Sequence, residues 1–298
     1  MAIALEAYYA CPPSNRLDPP LTKAHRALKS NDWQKRSGVS EPFFHSISGT
    51  CRGRKHLKAH CHETRMMLEY GNIQGHYETT MKGSEVYKML MSKGIGHLYH
   101  ANSLTTSISQ LKLRGLASRK LVEDSGLPQT YQYTDSTDKQ LGVWGDIFLD
   151  TVDIHKRASR LNYYGPILFI LDIGIIQCVD NVLITKSNPS KWGLHTSFED
   201  RYFTTYEELV SGWEYGNFDQ MLTIRNPATP LKFDGYLDQI LIDEPGTAND
   251  PSKEFSLALS AISCLTNTPL SRRQCPQWCK CKEGYTNTHR LAQMYSLC

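Results

Sequence analysis

A chain of 298 residues has room for one large domain or two small ones, and 40% hydrophobic with 21% charged residues favours a buried core over global disorder. The net charge of +3 hides an asymmetry: residues 1–95 carry 14 Lys and Arg against 8 Asp and Glu, and residues 96–298 carry 19 against 22. The longest apolar run, Ile167 to Leu171, stops at Asp172, far short of the ~20 residues a bilayer span needs, and Ala2-Ile3-Ala4-Leu5 runs straight into Glu6 without the basic flank of a signal peptide.

A soluble, cytoplasmic chain is therefore expected, with no membrane partner. Nine cysteines, an odd count at uneven spacing, argue against a disulfide framework and for free thiols or one metal site.

In chain order, residues 1–50 are Pro-, Ser- and Asn-rich, with Pro12-Pro13 and Pro19-Pro20 as punctuation. The most basic stretch follows, with Arg52, Arg54, Lys55 and Lys58 as candidate nucleic-acid contacts; a solvated surface is the plainer reading. Cys51, His56, His60, Cys61 and His62 form a further cluster of metal-ligand types. Helices are expected over 58–70 and 84–93, the second closed by Gly94 and Gly96. Residues 97–100 read as a strand. Residues 103–113 read as a helix, with Leu104, Ile108 and Leu111 on one face and Gly115 supplying a left-handed cap.

Residues 124–140 are polar and turn-rich, so a loop is expected. A strand over 143–149, a helix over 153–161 capped by Asp153, and a long strand or broken hairpin over 164–176 follow. A helical stretch near 206–210 precedes strands over 221–224, 231–233 and 239–242. A Gly/Pro/Asn linker over 245–256 leads to a helix over 255–265. The tail carries Cys275, Cys279, Cys281 and Cys298, a set that tetrahedral zinc would suit, with unligated thiols as the alternative. This order predicts an α+β fold with a mostly antiparallel sheet. It divides the chain into a basic N-terminal region (1–95), a core (96–245) and a C-terminal helix with a Cys-rich tail (246–298).

Leu98-Tyr99-His100-Ala101-Asn102, the helix after it, and the turn Leu113-Arg114-Gly115-Leu116-Ala117-Ser118-Arg119 resemble the opening of the ADP-ribosyltransferases. The strand Ile147-Phe148-Leu149 and the strand that follows Tyr164 come in the family's order. The resemblance covers residues 97–243 and is nearest to toxin-like, nucleic-acid-modifying branches of the DarT and CmdT types. It implies a split, mostly antiparallel sheet with flanking helices, and NAD as co-substrate. It also implies a nucleic-acid acceptor with RNA favoured, a toxin or anti-phage role, and an antitoxin or regulatory partner.

By the same resemblance, His100 would hold the ribose hydroxyls, with Ala101 and Asn102 beside the carboxamide. Phe148, Tyr163 or Tyr164 would cover the nicotinamide ring, and Arg119 would grip the pyrophosphate. Cleaving the ribose–nicotinamide bond builds positive charge on the ribose, which calls for a nearby anion. The family carries a glutamate at the head of a late strand for this. Here that position is Gln220, with Asp219 and Glu214 as the neighbouring acids. Three readings stay open: the acid lies elsewhere, the enzyme works without it, or the chain binds without catalysing. An RNA 2′-phosphotransferase, similar in fold, is the other enzymatic reading.

Overall fold

The computed structural model describes residues 80–157, 164–177, 179–245, 252–274 and 287–297, all within one compact unit of the chain. It is an α+β structure with antiparallel pairing dominant. Helix α1 (Gly83–Ser92) leads into strand β1 (His97–Asn102) and helix α2 (Leu104–Leu113). Strand β2 (Gly115–Leu116), helices α3 (Arg119–Asp124) and α4 (Asp135–Gln140), and strand β3 (Ile147–Leu149) follow. A 3-10 turn at Ile154–Arg157 precedes β4 (Ile167–Asp172) and β5 (Val182–Ile184). Next come α5 (Phe198–Arg201), α6 (Tyr206–Gly212), β6 (Leu222–Ile224), β7 (Leu231–Lys232) and β8 (Leu237–Asp243). Helix α7 (Lys253–Ser263), strand β9 (Leu270–Arg273) and helix α8 (Thr288–Tyr295) complete the described chain.

The described residues form three sheets: β1-β4-β8-β9, β3-β6-β5 and the short pair β2-β7. Among them only β8 and β9 run parallel. Among the described residues, one backbone bridge, between Tyr99 and Asp150, links the two larger sheets, with paired bonds of 2.9 and 3.0 Å. One hydrophobic core draws on α1 (Val86, Leu90), the central strands (Leu98, Phe169, Ile240), α7 (Phe255, Ile262) and α8 (Met294, Tyr295). Residues before 95 and after 245 contribute to this core. A smaller cluster of Leu141, Val143, Leu183, Trp192 and Tyr202 packs beside Phe148. No helix among the described residues is long and apolar enough to cross a membrane.

Several elements differ from expectation for identifiable reasons. Helix α2 is buried nearly all round rather than on one stripe, so its hydroxyls are bonded inside the protein: Ser107 to the Ser103 carbonyl at 2.8 Å and Ser109 to the Pro128 carbonyl at 2.5 Å. Its left-handed cap is Arg114 (φ 55°), not Gly115. Gly115 is glycine for another reason: a Cβ there would sit 2.5 Å from the Leu231 carbonyl across the β2–β7 pair.

The strand expected through 176 ends at Asp172, whose carboxylate accepts from Gly174 N at 2.6 Å and starts a 3-10 turn. Helix α4 occupies part of the expected loop at 124–140, while α3, β5, β9 and α8 were not anticipated. The helix expected over 58–70 lies outside the described residues.

Gly165, at φ 142°, passes so close to β1 that a Cβ would collide with the Asn102 carbonyl and Ser103 nitrogen. Only glycine fits both the backbone angle and the space. Gly165→Ala is expected to cost about 2–3 kcal/mol and to lower the thermal midpoint by roughly 5–10 °C in differential scanning calorimetry. A change of under a degree would contradict this close approach.

Candidate active site

The cleft is built where β1 and β3 part company. Past the Tyr99–Asp150 bridge the strands no longer pair, and the His100 ring takes over: its Nδ1 lies 2.9 Å from the Phe148 carbonyl. A carbonyl only accepts, so the proton sits on Nδ1. Burial lowers the His100 pKa from its ordinary 6.5, and the bond to Phe148 offsets this in part. The ring is therefore neutral at pH 7, and its Nε2 carries a lone pair that can accept a hydroxyl proton. At the end of β1, Ser103 caps α2 and its hydroxyl also reaches Thr130 at 2.7 Å, tying the loop before α4 to the strand.

His100, Ala101, Asn102, Arg119, Phe148 and Tyr164, separated by up to 64 positions in sequence, all line one cleft of about 130 Å³. Tyr163, the other aromatic candidate, lies outside the described residues. So do Arg52, Arg54, Lys55 and Lys58, and Cys275, Cys279, Cys281 and Cys298. Among the described residues no three His, Cys, Asp or Glu side chains are grouped to hold a metal.

Arg119 lines the cleft but is not the free cation expected of a pyrophosphate anchor. Its Nη2 donates to Asp135 at 2.8 Å and to the Thr130 carbonyl at 3.0 Å, and its guanidinium lies 5.0 Å from the Trp144 ring centroid. With both side chains largely shielded from water, Asp135 balances most of its charge.

Gln220 and Asp219, expected as catalytic residues, are not among the residues lining the cleft. The Gln220 amide is 6% exposed and fully engaged: Oε1 accepts from Glu214 N at 2.7 Å, and Nε2 donates to the Gly212 carbonyl at 2.8 Å. It staples the loop after α6. Asp219 is ion-paired with Lys191, and its carbonyl accepts from the Thr185 hydroxyl. Glu214 is exposed and bonded to Asn217 at 3.2 Å. Met221, the residue just before β6, lines the cleft.

The acids that do line the cleft are Asp138, Asp146 and Asp150. Asp146 is committed to structure: its carboxylate accepts from Arg225 at 3.0 Å and from Asn226 N at 3.1 Å. Burial raises the Asp138 pKa, and Asp135 adds to the rise against the bond from Thr134 and the charge of Arg119. Asp150 follows β3 and forms the bridge to Tyr99. The signal for two of these was present in the sequence, where Gly145-Asp146-Ile147-Phe148-Leu149-Asp150 sets a carboxylate at each end of a short apolar strand. Asp138 lies in the polar stretch whose lack of periodicity concealed α4.

No protein-family model matches the chain, and no curated protein matches it.

Gln220→Ala is expected to lose about 1–3 kcal/mol of stability, since it strands the Glu214 N–H and the Gly212 carbonyl. Differential scanning calorimetry is expected to show a lowered melting temperature; an unchanged one would contradict this staple.

Proposed function

We propose that the chain is an NAD-dependent ADP-ribosyltransferase that passes ADP-ribose to a macromolecule, with nucleic acid as the acceptor and RNA ahead of DNA. The observation that carries this reading is the meeting of His100, Ala101, Asn102, Arg119, Phe148 and Tyr164 in one cleft. The α+β fold, with its two larger sheets bridged by backbone bonds at Tyr99 and Asp150, is consistent with the split core that the resemblance implies. The basic first third of the chain supports a polyanionic acceptor.

In this reading the neutral His100 ring accepts from a ribose hydroxyl, and Phe148 or Tyr164 covers the nicotinamide ring and keeps water from it. The C1′–N bond breaks with its electron pair leaving on nicotinamide. An acceptor hydroxyl or amine attacks C1′ and releases its proton. Positive charge developing on the ribose is met by a cleft carboxylate, and Asp150 is the acid in register with the residue before His100.

A second reading has its own support. Met221 stands on the cleft at the head of β6, the strand where the resemblance calls for an acid, which favours a module that binds NAD without consuming it.

Labelled NAD incubated with RNA, DNA and protein tests both. The transferase reading expects label on nucleic acid, with a drop of tenfold or more in His100→Ala. Tight NAD binding with no nicotinamide release would favour the binding module. Neither binding nor turnover would sink both.

A further inference from the structure

Strand β3 is short, and its position against β1 decides whether the Phe148 carbonyl reaches the His100 ring. Between Asp150 and His155 the chain leaving β3 passes from β1 to β8 and β9. Asp150 exchanges two backbone bonds with Tyr99 of β1. The Asp153 carboxylate accepts from Arg273 Nη1 at 2.7 Å, and His155 Nε2 lies 3.0 Å from the Asp243 carboxylate. Arg273 is the last residue of β9 and stands in register with Asp243, the last residue of β8. Its guanidinium is thus a fork, with Nε on Asp243 at 2.7 Å and Nη1 on Asp153.

This arrangement holds a position. The Asp243 and His155 side chains are buried, and Arg273 and Asp153 are only 13% exposed, so water competes little for the two charge-assisted bonds. The planar fork fixes the two carboxylates relative to each other, which a lysine ammonium cannot do. Asp243 is itself fixed: its N–H donates to the Pro166 carbonyl at 2.9 Å, and its carbonyl accepts from the Tyr295 hydroxyl at 2.6 Å. Asp153 also starts the turn that follows, accepting from His155 N at 3.0 Å. One end of the segment is therefore tied to the strand that carries His100, and the other to the far strands of the same sheet. Between the two ties lie Thr151 and Val152, both buried, so a shift at Asp153 has little slack to absorb it before Asp150.

We infer that Arg273 is a positioning residue for the cleft: through Asp153 it holds the chain leaving β3, and with it the Phe148 carbonyl that fixes the proton of His100. Asp153, Asp243 and Arg273 are not among the residues lining the cleft, so their effect on His100 passes through the chain. The link serves the cleft whichever ligand enters it.

Imidazole-nitrogen NMR and amide exchange on the full chain test this in Asp153→Asn and Arg273→Lys, with Gln220→Ala as a control that loosens a loop elsewhere. Asp153→Asn removes a charge and keeps the oxygen that accepts from His155 N; Arg273→Lys keeps the charge and removes the fork. In both, amide exchange at Tyr99 and Asp150 is expected to quicken by roughly tenfold or more, while amides of β4 and β8 stay within about twofold. His100 is expected to show a mixture of its two neutral tautomers in place of the Nδ1–H form. Gln220→Ala is expected to leave His100 and the bridge unchanged. An unaltered His100 in the folded variants overturns the inference, and so does an equal change in Gln220→Ala, which would mark general loosening. If neither variant folds, the parent decides. Across a urea series its Asp150 and His155 amides are expected to open in one step, and Asp150 opening well ahead of His155 overturns the inference. Calorimetry with NAD adds an arm that rests on the transferase reading, with roughly tenfold weaker binding expected in Arg273→Lys. A parent chain that binds no NAD fails that reading and leaves the NMR result to decide the role of Arg273.

Discussion

Strand β1 is paired along its whole length with β4 on one side, and with β3 on the other at Tyr99 and Asp150 alone. The cleft depends on that inequality. Had the pairing continued, the Phe148 carbonyl would have met a backbone N–H, and the two sheets would have closed into one. Instead, the carbonyl is answered by the His100 ring, two strand positions from the bridge. A side chain in place of a backbone bond opens space between the strands without leaving a buried carbonyl unpaired. It also fixes the tautomer of the histidine, so one bond sets both the shape of the cleft and the chemistry of its best-placed acceptor.

The surrounding elements keep that opening in place. Gly165 lets the chain before β4 press against Asn102 and Ser103, where a side chain would push the end of β1 away. Ser103 caps α2 and reaches Thr130, which binds the loop bearing Gln129 to the same strand end. Arg119 then joins that loop to α4 through Asp135.

How much of this could be read in the sequence depended on the range of the forces involved. Strands β1 and β4 and helices α1, α2 and α7 follow from local apolar patterns and capping residues, and they appeared close to their expected positions. The gathering of His100, Asn102, Phe148 and Tyr164 came from the order of motifs, a resemblance of arrangement rather than a property of any one residue. What escaped was non-local. Gln220 precedes the apolar run as expected, but its amide is engaged by Glu214 and Gly212, and the next residue, Met221, is the one that lines the cleft. Arg119 looked like a free cation because nothing local tells that Asp135, sixteen positions away, neutralises it. The second sheet's β5 and the late β9 are short strands whose partners lie far off in sequence, which leaves little signal in a local window.

The central claim is that His100 is a neutral ring with its proton on Nδ1 and its Nε2 lone pair turned to ligand use. Imidazole-nitrogen NMR on the chain, with and without NAD, tests it directly. The account predicts a neutral Nδ1–H form at pH 7 that protonates only below the ordinary pKa of 6.5, and an Nε2 signal that moves when NAD is added. A ring charged at pH 7, a proton on Nε2, or an Nε2 signal indifferent to saturating NAD would contradict it.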